Sequence, residues 1–463
     1  MLTYTIPDDL KMPIYEYIYQ CIKNDIIKGK LKAHDKLPSK RALAANLNVS
    51  VITVENAYGQ LIIEGYLSAI EKKGYFVNSL QIPFSIESEL SLERSEENRT
   101  IGLDLQRNAV SASSFPIDTW SRISRKILLE KREEIFISAD KKGYLPLRKA
   151  IAQHLREFSS IDAIPDQIII GAGSEYLYNL LALLLGKERI YALEDPGHQG
   201  IERVYALNDV KHVHIKLDKE GISMKDLLES KATVAHISCA HHFPTGITTS
   251  AARRYELLKW AMANDGYIIE DDYDNEFRLK GKPIAPLYSI DNSQRVIYMN
   301  TFSKTISPTF RISYLVLPKK LKELYQQKMG FLSCPVSTFD QMILAEFIEN
   351  KYFERHLNRM RNHYKGLRDA LVNELKKQEY YSHIRIRESD SGLHFLLEYD
   401  YAVSDQEIAK QALKLGMKIA PLSYYYHGEC VTHTLVINYS GLDIDQVKEV
   451  AKKLEMIFKE KAS

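Results

Sequence analysis

Residues 295–318, RVIYMNTFSKTISPTFRISYLVLP, decide how the rest of this chain is read. A β-rich run, Val296, Ile297 and Tyr298, ends in the small polar turn Asn300-Thr301-Phe302-Ser303. Lys304 stands at the end of that turn, and a second apolar run, 312–317, follows Arg311. A lone lysine between strands of buried character is costly unless it is paired, neutral or covalently used. Upstream, Ile268-Ile269-Glu270-Asp271-Asp272-Tyr273-Asp274 is another apolar strand running straight into carboxylates and a phenol. A lysine for a Schiff base, an acid for a pyridinium nitrogen and hydroxyls for a phosphate are the components of a pyridoxal 5'-phosphate (PLP) pocket. One lysine after a strand is more often a solvated loop residue. The reading therefore depends on meeting the rest of the pocket in order along the chain.

A chain of 463 residues predicts two or three folding units. Its 45% hydrophobic and 26% charged residues are those of a globular protein with an ample core. A net charge of +2 excludes a bulk electrostatic case for nucleic acid, so any such surface is local. Cys21, Cys239, Cys334 and Cys430 are scattered without metal-type spacing, which favours thiols in a reducing compartment. The opening MLTYTIPDDLKMP lacks the pattern of a signal peptide, and the apolar run 180–185 is far too short to span a membrane. The expectation is a cytoplasmic protein with no membrane partner.

In the first eighty residues, Pro13 opens a helical pattern in which Ile14, Tyr17, Ile18, Cys21, Ile22, Ile26 and Ile27 share a face until Gly29. Lys36-Leu37-Pro38-Ser39 reads as a turn, with Ser39 capping a short helix over 40–47. Asn48-Val49-Ser50 is a tight turn whose Ser50 caps a third helix over 51–64, closed by Gly65. Two short helices split by a few residues fit a helix-turn-helix, whose second helix enters the DNA major groove. The run 66–77 reads as a hairpin with a basic glycine turn, Lys72-Lys73-Gly74. Lys36, Ser39, Lys40 and Arg41 gather at the start of the second helix, where phosphates would be met. Thr53, Glu55 and Asn56 occupy the first turns of the third, where base edges would be read. The stretch LPSKRALAANLNVSVITVENAYGQLIIEGYL…KKGYFV resembles the winged helix of GntR-type bacterial repressors. That family usually has Arg after the Ser at the recognition-helix start; here the residue is Val51.

Residues 80–100 carry Glu87, Glu89, Glu93, Arg94, Glu96, Glu97 and Arg99 among Ser and Pro, with little apolar surface to bury. They read as a tether that spans about 25 Å r.m.s. in its flexible limit. The composition also permits a helix over 88–98.

From residue 101, helix and strand patterns alternate as in an α/β protein with a mostly parallel sheet. Gly143-Tyr144-Leu145-Pro146-Leu147-Arg148 leads into an amphipathic helix, and Ile168-Ile169-Ile170 runs into a glycine turn before a long helix from 176. The free N–H groups of such a helix start suit a phosphate. EDPGHQG places His198 on a loop, and HHFPTG ends a further strand. Adjacent His241 and His242 invite a metal reading, which fails for want of helical spacing and a third ligand. The order is then glycine-turn helix, aromatic loop, PTG turn, acid-and-tyrosine strand end, lysine. That order resembles fold-type I aminotransferases, and with the winged helix attached it resembles the MocR-type branch of GntR regulators. The resemblance covers nearly the whole chain and is carried by YLPLRKAI, EDPGHQG, FPTG, IIEDDYDNEFR and TFSKT…FRISYLVLP.

The resemblance implies a Schiff base at Lys304, with Asp271 on the pyridinium nitrogen and Tyr273 on the ring oxygen. It also implies Ser303, Arg311 and the N–H groups of Ser174 and Glu175 on the phosphate, and His198 against the ring. Strand alternation admits only one of Asp271 and Asp272 to the ring. Phe243 stands where aminotransferases have Asn, and His198 where these regulators usually have Tyr. Glu175 brings a negative side chain to the phosphate end and is tolerable if it points away. The late strand around 433–439 has no Arg for a substrate carboxylate, while Arg385 and Arg387 share one face of a strand, read as a solvent face. Tyr424-Tyr425-Tyr426-His427 reads as core in preference to an effector entrance.

The expected organisation is a winged helix over 1–79, a linker over 80–100, a large PLP-binding domain over 101–330 and a small α+β subdomain over 331–463. The resemblance implies a homodimer, head-to-tail, that binds double-stranded operator DNA. It senses PLP, an amino acid or an amine; the missing Arg inclines the reading to PLP and vitamin B6 genes. A working aminotransferase is the alternative.

Overall fold

The computed structural model describes residues 2–7, 10, 12–80, 102–106, 114–281 and 284–462. The chain divides into two compact units, Met1–Glu97 and Asn98–Ser463. Apart from Leu80, the tether over 80–100 and its permitted helix lie outside the described residues.

In the first unit α1 (Ile14–Ile27) buries Ile18, Ile22 and Ile26 along one stripe, as a spacing of four in a helix dictates. β1 (Lys36–Leu37) follows, then α2 (Lys40–Leu47) and α3 (Val51–Ile63). Ser39 Oγ accepts from Ala42 N at 3.2 Å and Ser50 Oγ from Thr53 N at 3.1 Å, so both helices start on side-chain caps. Each cap is worth about 1 kcal/mol. Asn48 takes the left-handed conformation between the helices, φ +53°, which asparagine tolerates better than most residues. β2 (Leu67–Ile70) and β3 (Gly74–Val77) form the hairpin. The turn expected at 36–39 is partly strand: Lys36 and Leu37 pair with Phe76 and Tyr75 in the order β1-β3-β2. Leu37 is buried, and the hairpin that satisfies its backbone lies about 40 residues downstream, invisible to a local reading.

In the second unit, β4 (Leu103–Asp104), α4 (Ile117–Glu130) and α5 (Leu145–Phe158) precede the main sheet. The chain then runs β5 (Ile168–Gly171), α6 (Ser174–Leu185), β6 (Tyr191–Asp195), α7 (Gln199–Leu207), β7 (His212–Asp218), β8 (Gly221–Ile222), α8 (Met224–Glu229), β9 (Val234–Ile237), α9 (Ala251–Ala263), β10 (Tyr267–Asp271), α10 (Leu287–Ile290), β11 (Val296–Thr301) and β12 (Ser313–Val316). Eight strands lie in the order β5-β12-β11-β10-β9-β6-β7-β8. β11, β10, β9, β6 and β7 are mutually parallel, while β12 and β8 run against their neighbours. Helices cover both faces, so these strands are continuous apolar runs. The pleat sorts them: Ile169, Ile269, Ile297, Met299 and Leu315 pack with α6 and α7, while Ile168, Ile170, Tyr298, Tyr314 and Val316 pack with α5 and the helices after the sheet.

Those helices are α11 (Lys319–Met329), α12 (Thr338–Glu349) and α13 (Tyr352–Lys376). β13 (Ile384–Arg387), β14 (His394–Tyr399), α14 (Asp405–Lys414), β15 (Met417–Lys418), β16 (Ala420–Pro421), β17 (Thr434–Asn438) and α15 (Val447–Ala462) complete the unit. Four of these strands form an antiparallel sheet, β13-β14-β17-β16. β15 pairs with β4, Met417 opposite Leu103, so the start of this unit is tied to its end. Among the described residues no helix is long and apolar enough to cross a membrane.

Candidate cofactor pocket and DNA-binding head

Ligands of parallel α/β sheets sit beyond the carboxyl ends of the strands, and that is where the expected pocket residues meet. Asp271 ends β10 on the same face as Ile269, towards α6. Tyr178 of α6 donates to Asp271 Oδ2 at 2.7 Å, and His236 Nε2 lies 3.6 Å from the same oxygen. Asp271 Oδ1 is buried with no hydrogen-bond partner among the described residues. Asp272 points to the opposite face, where Tyr298 donates at 2.9 Å and Asn275 at 3.3 Å. Burial pushes Asp272 well above the usual carboxylate range, with Glu276 and Glu270 adding to the rise. Asp271, not Asp272, thus keeps a buried carboxylate oxygen unbonded among the described residues.

Lys304 follows β11 after the turn Phe302-Ser303 and is half-buried. Burial pushes its amine below the usual lysine range, against the opposing pull of Asp274 and Glu175. Ser303 is buried, its N–H donating to Thr301 Oγ1 at 3.1 Å. Arg311 holds φ +50°, and its guanidinium lies over the turn before α6. A Cβ on Gly173 would meet Arg311 Nη2 at 2.4 Å, so only glycine lets the arginine close on this helix start. The first-turn N–H groups of α6, from Ser174 and Glu175, leave the helix at the same point. A helix N-terminus beside a guanidinium is an anion site.

Glu175 does not point away. Its carboxylate accepts from Arg311 Nη2, and Arg311 with the backbone holds it below the usual range although burial opposes them. A negative side chain next to a bare guanidinium gains more by pairing than by facing water alone.

His198 caps α7 at the pocket mouth, exposed, within electrostatic range of Asp271, Lys304 and Glu175. Its ring centroid is 6.1 Å from that of Phe243, which packs edge-on against His394 (5.3 Å), Tyr425 (5.1 Å) and Tyr273 (6.4 Å). Of the expected core cluster Tyr424-Tyr425-Tyr426, Tyr425 and Tyr426 pack half-buried with Phe243 against a small hydrophobic core of Leu396, Leu422 and Val436, while Tyr424 is exposed.

Two pocket residues escaped the sequence. His241 Nδ1 lies 3.0 Å from both oxygens of Asp274 and 3.3 Å from Tyr273 Oη. His394, fully buried at the start of β14, packs near it with centroids 5.0 Å apart and rings tilted by 42°. The third donor that adjacent histidines lacked thus arrives from 150 residues away; the only signal was a histidine opening an apolar strand. His242 turns elsewhere, to Thr245 at 2.7 Å. Arg385 and Arg387 are exposed on β13, and Arg387 pairs with Glu398.

In the head, Lys36, Ser39, Arg41, Asn56, Lys72 and Lys73 are exposed, and Lys72 and Lys73 form the tip of the hairpin. Lys40 is tied to Glu55, so the two neutralise each other across the α2–α3 junction. Thr53 is half-buried, its hydroxyl 2.8 Å from Ser50 Oγ in the cap. Ile52, 68% exposed at the front of α3, is an apolar group with nothing to cover it, the kind that meets a thymine methyl.

Residues 14–77 match the family model of bacterial regulatory proteins of the gntR family, and residues 101–454 that of aminotransferase class I and II. The chain is 34% identical over 453 residues to the uncharacterized HTH-type transcriptional regulator YdeL of Bacillus subtilis (strain 168), across 97% of this chain and 98% of that one. It is 27% identical to the HTH-type pyridoxine biosynthesis transcriptional regulator PdxR of Corynebacterium glutamicum, across 94% and 93%. The second unit shares its fold with an archaeal alanine:glyoxylate aminotransferase, TM-score 0.70 at 23% identity, covering 78% of this chain and 91% of that one. The cofactor this fold implies is pyridoxal 5'-phosphate. The chain belongs to the gntR family of bacterial transcriptional regulators, in the group represented by the MocR-type proteins, with a class I and II aminotransferase domain behind the winged helix.

Proposed function

We propose that this is a cytoplasmic, homodimeric regulator whose head binds operator DNA and whose body holds PLP at Lys304, so that PLP or an amine sets operator affinity. One observation carries the assignment: a buried carboxylate, Asp271, has one oxygen held by Tyr178 and the other without a partner. Leaving a buried charge half-satisfied costs more than about 1 kcal/mol, which a pyridinium N–H would relieve. When bound, PLP supplies an aldehyde and an electron-withdrawing ring. Lys304 presents an amine biased towards its neutral, nucleophilic form. Arg311 and the start of α6 would hold the phosphate, with Ser303 at the neighbouring turn. Tyr273, placed by His241 and Asp274, would donate to the ring oxygen. His198 would lie against the ring.

The late strand β17, Thr434–Asn438, contains no Arg to meet an effector carboxylate. That favours PLP itself, or an amine without a carboxylate, over an amino acid. It also weighs against a working aminotransferase. In a head-to-tail dimer, PLP or amine binding changes the spacing of two heads, and half-site spacing sets operator affinity.

The test is a PLP titration followed by absorbance, borohydride reduction and peptide mapping, with amines added one at a time. A reduced adduct on Lys304 supports the reading, and a spectral shift with one amine identifies it as effector. An adduct on another lysine, or none, refutes it.

A further inference from the structure

Outside this pocket, a second group of donors converges where the loop after Leu422 crosses the main sheet. Glu202 Oε2 lies 3.4 Å from His214 Nε2, while Oε1 lies 3.6 Å from His212 Nε2 and 3.9 Å from His427 Nδ1. One ligand atom each from Glu202, His214 and His427 falls within 4.8 Å of the others. α7, β7 and the late loop each contribute, so the cluster is made by tertiary structure. The separations exceed the roughly 2.7–2.9 Å of a charge-assisted hydrogen bond. The 3.4 Å between Glu202 and His214 is near the roughly 3.3 Å edge of a tetrahedron of N and O ligands set about 2.0–2.1 Å from a zinc ion.

The tautomers agree. His212 Nδ1 donates to the Val210 carbonyl at 3.2 Å, which in the neutral ring leaves the Nε2 lone pair facing Glu202. A carbonyl behind an imidazole is the usual support of a metal ligand, and His212 stands beside the group rather than in it. The rings of His214 and His427 stack at 3.8 Å and 11°, an arrangement that two imidazolium cations would not hold. Neutral imidazole is the ligating form.

We propose that Glu202, His214 and His427 form a zinc-class transition-metal site, with water open to the remaining position and His212 beside the same carboxylate. His427, 61% exposed, turns its ring out of the stack to bring its nitrogen to the ion. The site pins a strap that is already tied down beside the cofactor pocket: Gly197 N donates to the Tyr425 carbonyl and His427 N to Asp195 Oδ1, both at 2.9 Å. Metal binding fixes the loop that sets Tyr425 against Phe243 and lies over the turn bearing His198.

The full-length protein, stripped of metal and without PLP, is titrated with Zn2+ against a chromophoric chelator, with Co2+ as a spectroscopic probe. The expected result is one zinc per chain, weakened at least about tenfold in Glu202→Gln and His214→Ala, and also weakened in His427→Ala. His394→Gln, in the separate His241–Asp274–His394 cluster, keeps it. Zinc also slows amide exchange at Gly197 and His427 in the parent protein. Metal-free melting curves identify any variant that fails to fold, and Glu202→Gln, a near-isosteric change at a half-exposed position, keeps the test decisive. Absence of stoichiometric zinc, retention of full affinity in Glu202→Gln, or loss only in His394→Gln overturns the proposal.

Discussion

Tyr178 and Asp271 share a 2.7 Å hydrogen bond that anchors one carboxylate oxygen and leaves the other bare among the described residues. Removing one partner of a buried charge pair costs about 2–5 kcal/mol. Asp271→Asn is therefore expected to weaken PLP binding by about thirtyfold or more, measured by fluorescence titration. Tyr178→Phe strands the second oxygen and is expected to lower stability by about 1–3 kcal/mol in denaturant unfolding. Equal PLP affinity in Asp271→Asn would contradict the assignment.

Glu175 occupies the guanidinium that a phosphate needs. Glu175→Gln frees Arg311 and removes a like charge from the anion site. Both groups are about half-exposed, so the gain is that of a screened surface pair, up to about 1 kcal/mol or fivefold tighter PLP binding. Isothermal titration reads it directly. Weaker binding would mean that Glu175 positions Arg311 for the phosphate.

His356 gives a pH signature. Its Nε2 donates to the Thr305 carbonyl at 2.7 Å and its Nδ1 accepts from Arg359 at 3.1 Å, a pattern only the neutral ring can make. Burial pushes it down to about 4, from an ordinary 6.5. Its contribution is fully present above pH 6.5 and is lost as pH falls towards 4, because the unfolded chain takes up the proton first. His356→Gln is expected to flatten the stability–pH curve in that window by about 1.4 kcal/mol per pH unit at most. Identical slopes would show that the ring titrates freely.

In the head, Lys72→Ala and Lys73→Ala remove exposed cations from the hairpin tip. Each is expected to weaken every DNA sequence alike and to reduce the salt slope by about one. Ile52→Ala is expected to relax preference at one base pair and leave the salt slope alone. Fluorescence anisotropy over a salt series separates the two. A sequence-dependent loss in the lysine variants would overturn their assignment to phosphates.

What could be read without coordinates was what lies close along the chain. The capped helices of the head followed from Ser39, Ser50 and Gly65, and the run 268–274 carried its acids to the end of an apolar strand, where alternation separates Asp271 from Asp272. What escaped depends on contacts across long separations. Lys36–Leu37 became a strand because a later hairpin pairs with it; Lys40 met Glu55 across a turn; His394 joined His241 from another sheet. Glu175 was identifiable as anomalous, but its partner depended on where Arg311 lands after a second strand.

The most direct test of the account is operator affinity of the full-length protein across a PLP titration, in parallel with Lys304→Ala. The account predicts that PLP shifts the parent protein's affinity and that the variant, folded and DNA-binding, does not respond. An affinity indifferent to PLP and to every amine, or a PLP response that persists in Lys304→Ala, would contradict it.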